Sequence, residues 1–476
     1  MTSRDYYYQD RTCGQLLRQY DPHLLDIYKA EMSYGIQRFF LLSYCLACCW
    51  PGIRAKTGLR IVRQWAELDF EFPSEAVRQI AAERQFYVPG NSVPIDVDVQ
   101  YRQSPEKSRI FVTLPRFDVG RPVTLGVVAE DGRIRGYPDY SWHDNQGVNC
   151  DGLTSVFRVA IDKCNRLWVM DAGKIGDMQV CPPQLLAFDL HTDQLIYRHR
   201  VNASNYIATS LFITPVVDTG RGPSGCMNTY VYVADVSGFG LLVVDVANDR
   251  SWRVTHRHFF PYPNHGTFTI DGESFDLMDG VLGMALSPPL PDDDRFLYFH
   301  ALASVTENVV RTSVLTNDSF IQNSNADPGS ISAFPEKRPN QSAAEAMNKD
   351  GILFFGLMEP PGIWCWNSAT EFSTRNFHQI AINRETLQFA SGLKIVNNLK
   401  GQEELWILTS SFQRVMTGSL RSDRINYRIH AEKIPTLLQN SPCLMPPKDR
   451  TTGQHANLIT ADSPKHIFRY GVVAFL

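Results

Sequence analysis

The sequence has few of the features that mark nucleic-acid-binding or membrane-spanning proteins. Its formal net charge is −4 over 476 residues, and no stretch combines clustered basic side chains with aromatic ones. Binding to a phosphate backbone needs such a basic surface, so a nucleic-acid partner is not expected. No apolar run reaches the roughly 20 residues that a membrane-spanning helix requires, so no stable membrane span is expected either.

Several motifs of enzyme active sites are missing as well. The sequence contains no GxSxG, no HExxH and no GxxxxGK[ST]. These absences argue against a hydrolase with a nucleophile elbow, a zinc protease of that class and a P-loop phosphate site. We therefore expect neither a metal site nor a cofactor.

What the sequence does contain is a repeat of strand-like runs. Six runs rich in β-branched and aromatic residues recur at steps of 53 to 66 residues, beginning at Arg109, Arg166, Thr229, Arg295, Gly351 and Glu404. A second strand-like run follows each of them, the last being RVMTGSL at 414–420. A period of this size built from paired strands is typical of a propeller blade. The sequence therefore predicts an all-β fold, a six-bladed β-propeller with four-stranded antiparallel blades around a central channel.

Segments outside the clear repeats are assigned by pattern. The alternating run at 67–72 (ELDFEF) is the predicted closing strand of the last blade, because an open ring would leave an unpaired edge. The polar stretch 316–350 is predicted to be a long loop with one short helix at 343–347. No outer strand is evident for the fourth blade, and 441–465 is expected to be irregular.

The N-terminal region contains a short apolar run, Phe39–Trp50, directly after Arg38. Such a run resembles the hydrophobic part of a secretory signal peptide. We therefore interpret 1–55 as an N-terminal extension and signal peptide, with Met32 as a possible true start, and 56–476 as a single propeller domain. The alternatives are a signal anchor and an apolar helix near the start of a cytosolic protein.

The cysteines after residue 55 and the glycosylation sequons favour a secreted, extracellular protein. Six cysteines follow the leader, an even number and scattered along the chain: Cys150, Cys164, Cys181, Cys226, Cys365 and Cys443. This distribution fits disulfides better than a metal site. Asn202, Asn317 and Asn340 each begin an N-x-S sequon, so they are candidate glycosylation sites.

Six longer motifs resemble the insect yellow / major royal jelly protein family. They lie at 150–173, 181–190, 230–246, 279–288, 351–367 and 404–414, and the match extends over roughly 60–470. The resemblance implies a secreted six-bladed propeller. It also implies three disulfides, which join Cys150 to Cys181, Cys164 to Cys226 and Cys365 to Cys443.

The resemblance implies several possible functions. Members of the family are linked to melanin pigmentation and cuticle, some convert dopachrome, some bind biogenic amines in the channel, and others are secreted nutrient proteins. Our first hypothesis is an isomerase that relocates a proton in dopachrome. The alternatives are a non-catalytic binder of amines and a structural or nutrient protein. The expected partner is a small catechol- or indole-type molecule or a biogenic amine.

The resemblance also suggests where a ligand binds. Amine-binding relatives often carry Asn at the position of Ser410, with an aromatic residue two positions later, which is Phe412 here. Thr409, Ser410 and Phe412 are therefore the candidate ligand-binding residues. The Ser410 side chain is a shorter hydrogen-bond acceptor than that of Asn. This difference from the amine-binding relatives weakens the expectation that the protein binds amines.

No catalytic residue can be selected from the sequence. Five acids are expected near the channel, Asp96, Asp98, Asp162, Asp276 and Asp279, but they form no tight run of calcium ligands and most fit turns or strand ends. His256, His258 and His265 invite a proposal of metal binding or proton transfer. Their proline-rich surroundings indicate a loop between blades instead.

Overall fold

The computed structural model describes residues 58–103, 108–144, 146–220, 225–317 and 329–444. The predicted signal peptide, Met32 and nearly all of 441–465 lie outside the described residues. The boundaries proposed for the domain therefore stay a prediction. No helix in the described part of the chain combines the length and apolarity needed to cross a membrane.

Two strands and a helix precede the first repeat. They are β1 (Arg60–Trp65), β2 (Phe70–Glu71) and α1 (Glu75–Glu83). The helix begins after Ser74, whose hydroxyl oxygen accepts a hydrogen bond from the Val77 backbone N–H at 3.3 Å. This is a standard N-cap, which satisfies one of the free N–H groups of the first turn.

The first three blades follow in chain order. Blade 1 contains β3 (Asp96–Gln100), β4 (Arg109–Thr113), β5 (Leu125–Val128) and β6 (Ile134–Gly136). Blade 2 contains β7 (Val156–Ile161), β8 (Arg166–Asp171), then a hairpin of β9 (Lys174–Ile175) and β10 (Met178–Gln179), then β11 (Gln184–Asp189) and β12 (Leu195–Arg200). Blade 3 contains β13 (Phe212–Thr219), β14 (Thr229–Asp235), β15 (Gly240–Asp245) and β16 (Arg250–Thr255).

A hairpin separates these blades from the remaining three. Its strands are β17 (Thr267–Ile270) and β18 (Glu273–Asp276). Blade 4 contains β19 (Val281–Leu286), β20 (Phe296–Ala301), β21 (Thr306–Arg311), α2 (Thr312–Leu315) and β22 (Ser332–Lys337). Blade 5 contains β23 (Glu345–Met347), β24 (Ile352–Met358), β25 (Pro361–Asn367) and β26 (His378–Ile382). Blade 6 contains β27 (Phe389–Asn397), β28 (Glu403–Ser410), α3 (Phe412–Thr417), β29 (Tyr427–Lys433) and α4 (Ile434–Leu437). Short 3₁₀ turns lie at Tyr140–Trp142, Ala203–Asn205, Arg257–Phe259, Pro263–His265 and Thr374–Asn376.

The six sheets form a closed ring around a central channel. The first strand of each blade (β3, β7, β13, β19, β23 and β27) contacts the first strand of the next, and β27 contacts β3. The predicted six-bladed β-propeller is therefore confirmed. We call the end of the channel where these inner strands begin the upper end.

The closing strand differs from the sequence prediction. β1 pairs antiparallel with β29, with Arg60 opposite Ala431, and so completes blade 6. The prediction of 67–72 for this role was wrong, because Phe70–Glu71 instead pairs in parallel with β6 of blade 1. The Trp65 indole N–H donates to the Gly132 carbonyl at 2.7 Å, which fixes the crossing from blade 6 to blade 1.

Three local predictions in the last blades were also wrong. The run at 414–420 is not a strand, since most of it lies in α3 and in the turn after it, where Gly418 adopts φ +67° as the C-cap. The helix expected at 343–347 is replaced by β23, which pairs with β24. The stretch 316–350 is not all loop, because it also holds β22, the outer strand of blade 4.

The central strands have continuous apolar sequences because the adjacent blades bury both faces of each strand. All residues of β8 except its first, and all residues of β20 and β28, are buried. Alternate side chains of β28 belong to two different apolar clusters: Leu405 and Ile407 pack with blade 5, and Trp406 and Leu408 pack on the opposite face. Burial on both faces gives continuous rather than alternating hydrophobicity.

Three disulfides tie neighbouring segments together. They join Cys150 to Cys181, Cys164 to Cys226 and Cys365 to Cys443, the same pairs that the resemblance implies. Their Cα–Cα distances of 5.4, 6.0 and 6.3 Å lie in the usual range for disulfides.

Candidate functional site

Irregularities near the upper end of four inner strands shape the channel. The register of β7, β13, β19 and β27 against the second strand of the blade shifts near the beginning of each strand. A β-bulge of this kind redirects the side chains within it. The residues within the shifts include Arg158, Thr214, Leu282 and Ser391, one from each strand.

Arg158 crosses the channel and closes it. Its guanidinium donates to the Thr214 hydroxyl at 3.1 Å in blade 3, and to the Ala343 and Ser391 carbonyls at 3.2 and 2.7 Å at the inner edges of blades 5 and 6. Thr214 in turn donates to the Leu282 carbonyl of blade 4 at 2.7 Å. A side chain from blade 2 can reach these partners only by crossing the ring axis. Burial lowers the pKa of Arg158.

Further charges lie below Arg158 along the channel. The Lys394 ammonium of blade 6 lies 2.9 Å from a carboxylate oxygen of Asp96 in blade 1, and donates to the Val159 carbonyl of blade 2 at 2.7 Å. The Asp98 carboxylate accepts the Ile161 N–H at 2.8 Å, and burial raises the pKa of Asp98 to about 6. These groups bond to one another and to the inner strands, so they hold neighbouring blades together at this level of the channel.

The upper half has an apolar wall to which every blade contributes. Six buried residues from the beginnings of the inner strands, or just before them, belong to one continuous cluster: Ile95, Phe157, Ile213, Leu282, Ala343 and Phe389. A wall of this composition suits the flat ring of an aromatic or quinone ligand, with a few polar groups needed to orient it.

The hairpin of β17 and β18 reaches over this wall. Phe275 packs edge-on against Phe412 of blade 6, with ring centroids 5.9 Å apart. At the tip, Arg414 pairs with Glu273 at 3.1 Å and with Asp271 at 3.5 Å. A cavity of about 450 Å³ opens beside the tip, with Asp271, Gln388, Ser411 and Arg414 among its lining residues. The hairpin therefore covers the upper end beside an opening.

Asp279 is the acid at the upper end that the fold does not use. It lies between the hairpin and β19, is half-buried, and its backbone carbonyl accepts from the Ala303 N–H at 3.0 Å. Its carboxylate accepts no hydrogen bond from the described residues, and burial raises the pKa of Asp279 to about 6. By contrast, Asp171 and Asp235 at the same level are saturated by backbone N–H groups and side chains.

The residues predicted from the resemblance occupy different faces of blade 6. Thr409 donates to the Thr386 carbonyl at 2.8 Å, so its hydroxyl serves the fold. The neighbouring Ser410 must point to the opposite face of β28; its hydroxyl is buried and has no partner among the described residues. Phe412 stacks on Phe389 of the wall with ring centroids 4.6 Å apart. Ser410 is also the cross-strand partner of Phe389, so Phe412 and Ser410 both lie beside the wall.

The structure places other acids and histidines that were candidates from the sequence in contacts that hold the fold. Asp162 binds Arg166 at 2.7 Å in a turn below the channel, and Asp276 is exposed on the hairpin, where it accepts from Thr267 at 2.7 Å. His256 and His258 pack ring on ring at 4.9 Å. Burial lowers the pKa of His258 to about 4.

Arg158 and Asp279 were not selected as functional residues from the sequence, although each had a signal. Arg158 is a charged residue within the otherwise apolar inner strand SVFRVAI. Asp279 precedes Gly280, a pair that is typical of a turn, but the structure has no turn there. The segment is extended and bonds to distant parts of the chain through Val236 and Ala303, and burial at this place raises the pKa of the Asp279 carboxyl.

Comparisons with known proteins agree with this architecture. A family model described as "Major royal jelly protein" matches residues 154–443. The chain is 34% identical to major royal jelly protein 9 of Apis mellifera over 399 residues, covering 80% of this chain and 89% of the relative. It is 30% identical to dopaminechrome tautomerase of Drosophila melanogaster over 406 residues, covering 82% and 85%. It is 31% identical to protein yellow of Drosophila melanogaster over 392 residues, covering 80% and 69%. A solved structure of virginiamycin B lyase from Staphylococcus aureus aligns over 72% of this chain and 95% of its own. The identity is 11% and the TM-score 0.36, and we draw no conclusion from this similarity.

Proposed function

Because the chain belongs to the family of major royal jelly and yellow proteins, we propose that it is a secreted enzyme of pigment or cuticle formation that isomerises dopachrome or dopaminechrome. The observation that carries the proposal is the Asp279 carboxyl at the upper end of the channel, half-buried and without a hydrogen-bond partner among the described residues. The relative named dopaminechrome tautomerase supports the choice of substrate class.

The proposed chemistry needs one base and an apolar wall. The Asp279 carboxylate takes a proton from a ring carbon of the aminochrome, the electron pair moves through the ring to a quinone oxygen, and that oxygen gains a proton. The product is an isomer, so no oxidant or reductant is consumed. A base with a pKa near 6 is ionised at neutral pH and still basic enough to accept the proton. The wall and the hairpin exclude water from the ring.

Secretion and glycosylation form part of the same proposal. Three disulfides favour a protein that folds in an oxidising compartment. Asn202 and Asn317 are exposed and Asn340 is half-buried, so the sequons can be reached by a glycosyltransferase. Secretion into the medium of insect cells and a mass loss on deglycosylation are the expected results. Retention inside the cells would contradict this part of the proposal.

A non-catalytic binder of biogenic amines is the second candidate. The same Asp279 carboxylate could receive an ammonium group, and Phe412 with Phe389 offers ring faces. The unpartnered Ser410 hydroxyl is a further acceptor if its surroundings relax. Such a protein would bind serotonin or dopamine without turning over an aminochrome. A structural or nutrient role would require neither activity.

The test compares Asp279→Asn with a matched control on the hairpin, Asp276→Asn. We expect wild type and Asp276→Asn to accelerate the loss of aminochrome colour with saturation, and Asp279→Asn to lose about 10²- to 10⁴-fold of that rate, the usual contribution of a general base. Equal activity of Asp279→Asn and wild type would contradict the assignment. Amine binding without turnover by folded wild type would favour the second candidate, and neither activity would favour a structural role.

A further inference from the structure

A second cluster of ionisable side chains is buried between blades 4 and 5. His300 lies on β20, Glu307 on β21 and Glu345 on β23, and the imidazole and carboxylate groups of all three have no exposed surface. Arg338, between β22 and β23, pairs with Glu307 and is 3% exposed. These residues take no part in the proposed isomerisation. Because they are widely separated in the chain, no metal-binding spacing in the sequence indicates them.

The imidazole of His300 is oriented as in a metal site. Its Nε2 lies 3.0 Å from the Ser342 carbonyl oxygen, which can only accept, so the ring proton is on Nε2. The other nitrogen, Nδ1, faces Glu307 Oε2 at 3.2 Å and Glu345 Oε2 at 3.1 Å. A carbonyl that holds the far ring nitrogen is the usual outer partner of a metal-binding histidine. Gly283 makes room for the ring, since a Cβ there would lie 2.3 Å from it.

The carboxylates have oxygens that no protein donor reaches. Glu307 Oε1 and Glu345 Oε1 are buried and find no hydrogen-bond partner among the described residues, and Glu345 Oε2 has only the Nδ1 atom of His300 beside it. Leaving such groups unsatisfied is costly. One ligand atom from each of His300, Glu307 and Glu345 lies within 4.8 Å of the others. Ligand atoms held at about 2.0 Å by one tetrahedral ion lie about 3.3 Å apart, close to the observed separations from Nδ1.

The charges of the cluster also favour a cation. Two carboxylates face one guanidinium, so a neutral His300 leaves an excess negative charge in a site without solvent. A proton on Nδ1 would balance the charge, but it would reach only the Oε2 atoms and leave Glu307 Oε1 and Glu345 Oε1 without a donor. A metal ion can bind both carboxylates at once. Arg338 then acts on Glu307 from the outer side.

We propose that His300, Glu307 and Glu345 bind one divalent first-row metal ion, with Zn²⁺ the best match to one imidazole nitrogen and two carboxylates. The site is closed to solvent, which makes it structural. It stands directly behind the channel wall, because Ser342 accepts from His300 and the adjacent Ala343 accepts from Arg158. The ion would therefore fix the wall segment 342–345.

The experiment measures metal rather than activity, so its failure is separate from that of the proposed isomerase. Secreted wild-type protein is analysed for metal content, then stripped with a chelator and titrated with Co²⁺, whose absorption bands report nitrogen and oxygen ligands. We expect one equivalent of metal per chain and a higher Tm with Zn²⁺ than without it. The variant Glu345→Gln should lose the metal and the Co²⁺ bands.

The matched control is Glu404→Gln, which changes another buried glutamate whose oxygens accept from Tyr101, Asn398 and Trp406. It should keep the full equivalent of metal. Folded wild type that binds neither Zn²⁺ nor Co²⁺ would overturn the proposal and assign the balancing charge to a proton within the cluster. Metal retained by Glu345→Gln, or lost equally by Glu404→Gln, would also overturn it. If Glu345→Gln does not fold, the wild-type titration still decides.

Discussion

Arg158 donates a hydrogen bond at 2.7 Å to the carbonyl oxygen of Ser391 on the other side of the channel. One side chain from blade 2 is thus bonded to the inner edges of blades 3, 5 and 6. Arg158 therefore spans the channel at the level of these inner strands. This explains why the candidate site lies between Arg158 and the hairpin rather than along the whole axis.

Replacement of Arg158 by Met should destabilise the protein. The change removes three hydrogen bonds and leaves the buried Ala343 and Ser391 carbonyls without this donor, and the loss of one member of a buried polar network costs about 3 kcal/mol or more. Urea unfolding should show a lower midpoint with an unchanged slope. Arg133→Met, at an exposed arginine paired with Asp131, should leave the midpoint where it is. Equal midpoints for the two variants would refute the role given to Arg158.

The proposed reaction should depend on pH through Asp279. Burial raises the pKa of its carboxyl from 3.8 to about 6, and a general base acts only when ionised. We therefore expect kcat/KM for dopaminechrome to rise with pH up to about 6 and to level off above it. Asp279→Asn should show a low rate without this step. A wild-type profile that is flat between pH 5 and pH 7 would exclude Asp279 as the base.

The hairpin should control ligand entry through the pairing of Glu273 with Arg414. Glu273→Gln removes the charge and weakens the closed position, and an ion pair at such a surface contributes at most about 1 kcal/mol. Ligand association, followed by stopped flow, should become up to about fivefold faster while the Tm hardly changes. Glu371→Gln removes a comparable exposed pair with Arg375, between β25 and β26 and outside the lining of the cavity at the hairpin tip, and should have no effect on association. A slower or unchanged rate for Glu273→Gln would argue against a gate.

Removal of β1 should open the ring. A chain that begins at Glu67 lacks the strand that pairs with β29, so the edge of β29 is exposed. It also lacks Trp65, which is part of the core. Unpaired edges of this kind promote association between chains. Size-exclusion chromatography should show aggregates for this chain and a monomer-sized or defined species for one that begins at Thr57. A defined, folded species from the shorter chain would show that closure does not depend on β1.

The repeat of apolar runs was sufficient to predict the ring because each blade buries both faces of its central strands. The local sequence pattern did not predict correctly which segment closes blade 6, nor the structure of 414–420. The run 67–72 (ELDFEF) alternates in a way that suits an edge strand, whereas 60–65 (RIVRQW) does not. It is nevertheless 60–65 that pairs with β29, and the hydrogen bond of Trp65 fixes the crossing to blade 1. Likewise, Val415 and Met416 suit a strand, but Phe412 anchors the segment against Phe389 and it folds as α3.

The candidate site was less predictable than the fold for a related reason. Its chemistry depends on groups that converge from separate blades, such as Arg158 with Ser391, or His300 with Glu345. The spacing of residues in the sequence does not indicate contacts between separate blades. The resemblance pointed to blade 6, where the structure brings Phe412 and Ser410 beside Phe389 of the wall and turns the Thr409 hydroxyl to the Thr386 carbonyl.

The pairing of Arg60 with Ala431 has a consequence for how the protein is made. β1 leaves the ribosome before any blade, whereas its partner β29 comes from the last blade to be synthesised. Blades 1 to 5 can therefore assemble as an open arc while β1 waits without its own sheet. Such distant contacts form late and slowly. Once β29 has been made, the new protein therefore carries two complementary unpaired edges, and β1 must pair with the β29 of its own molecule before it pairs with that of a neighbouring one.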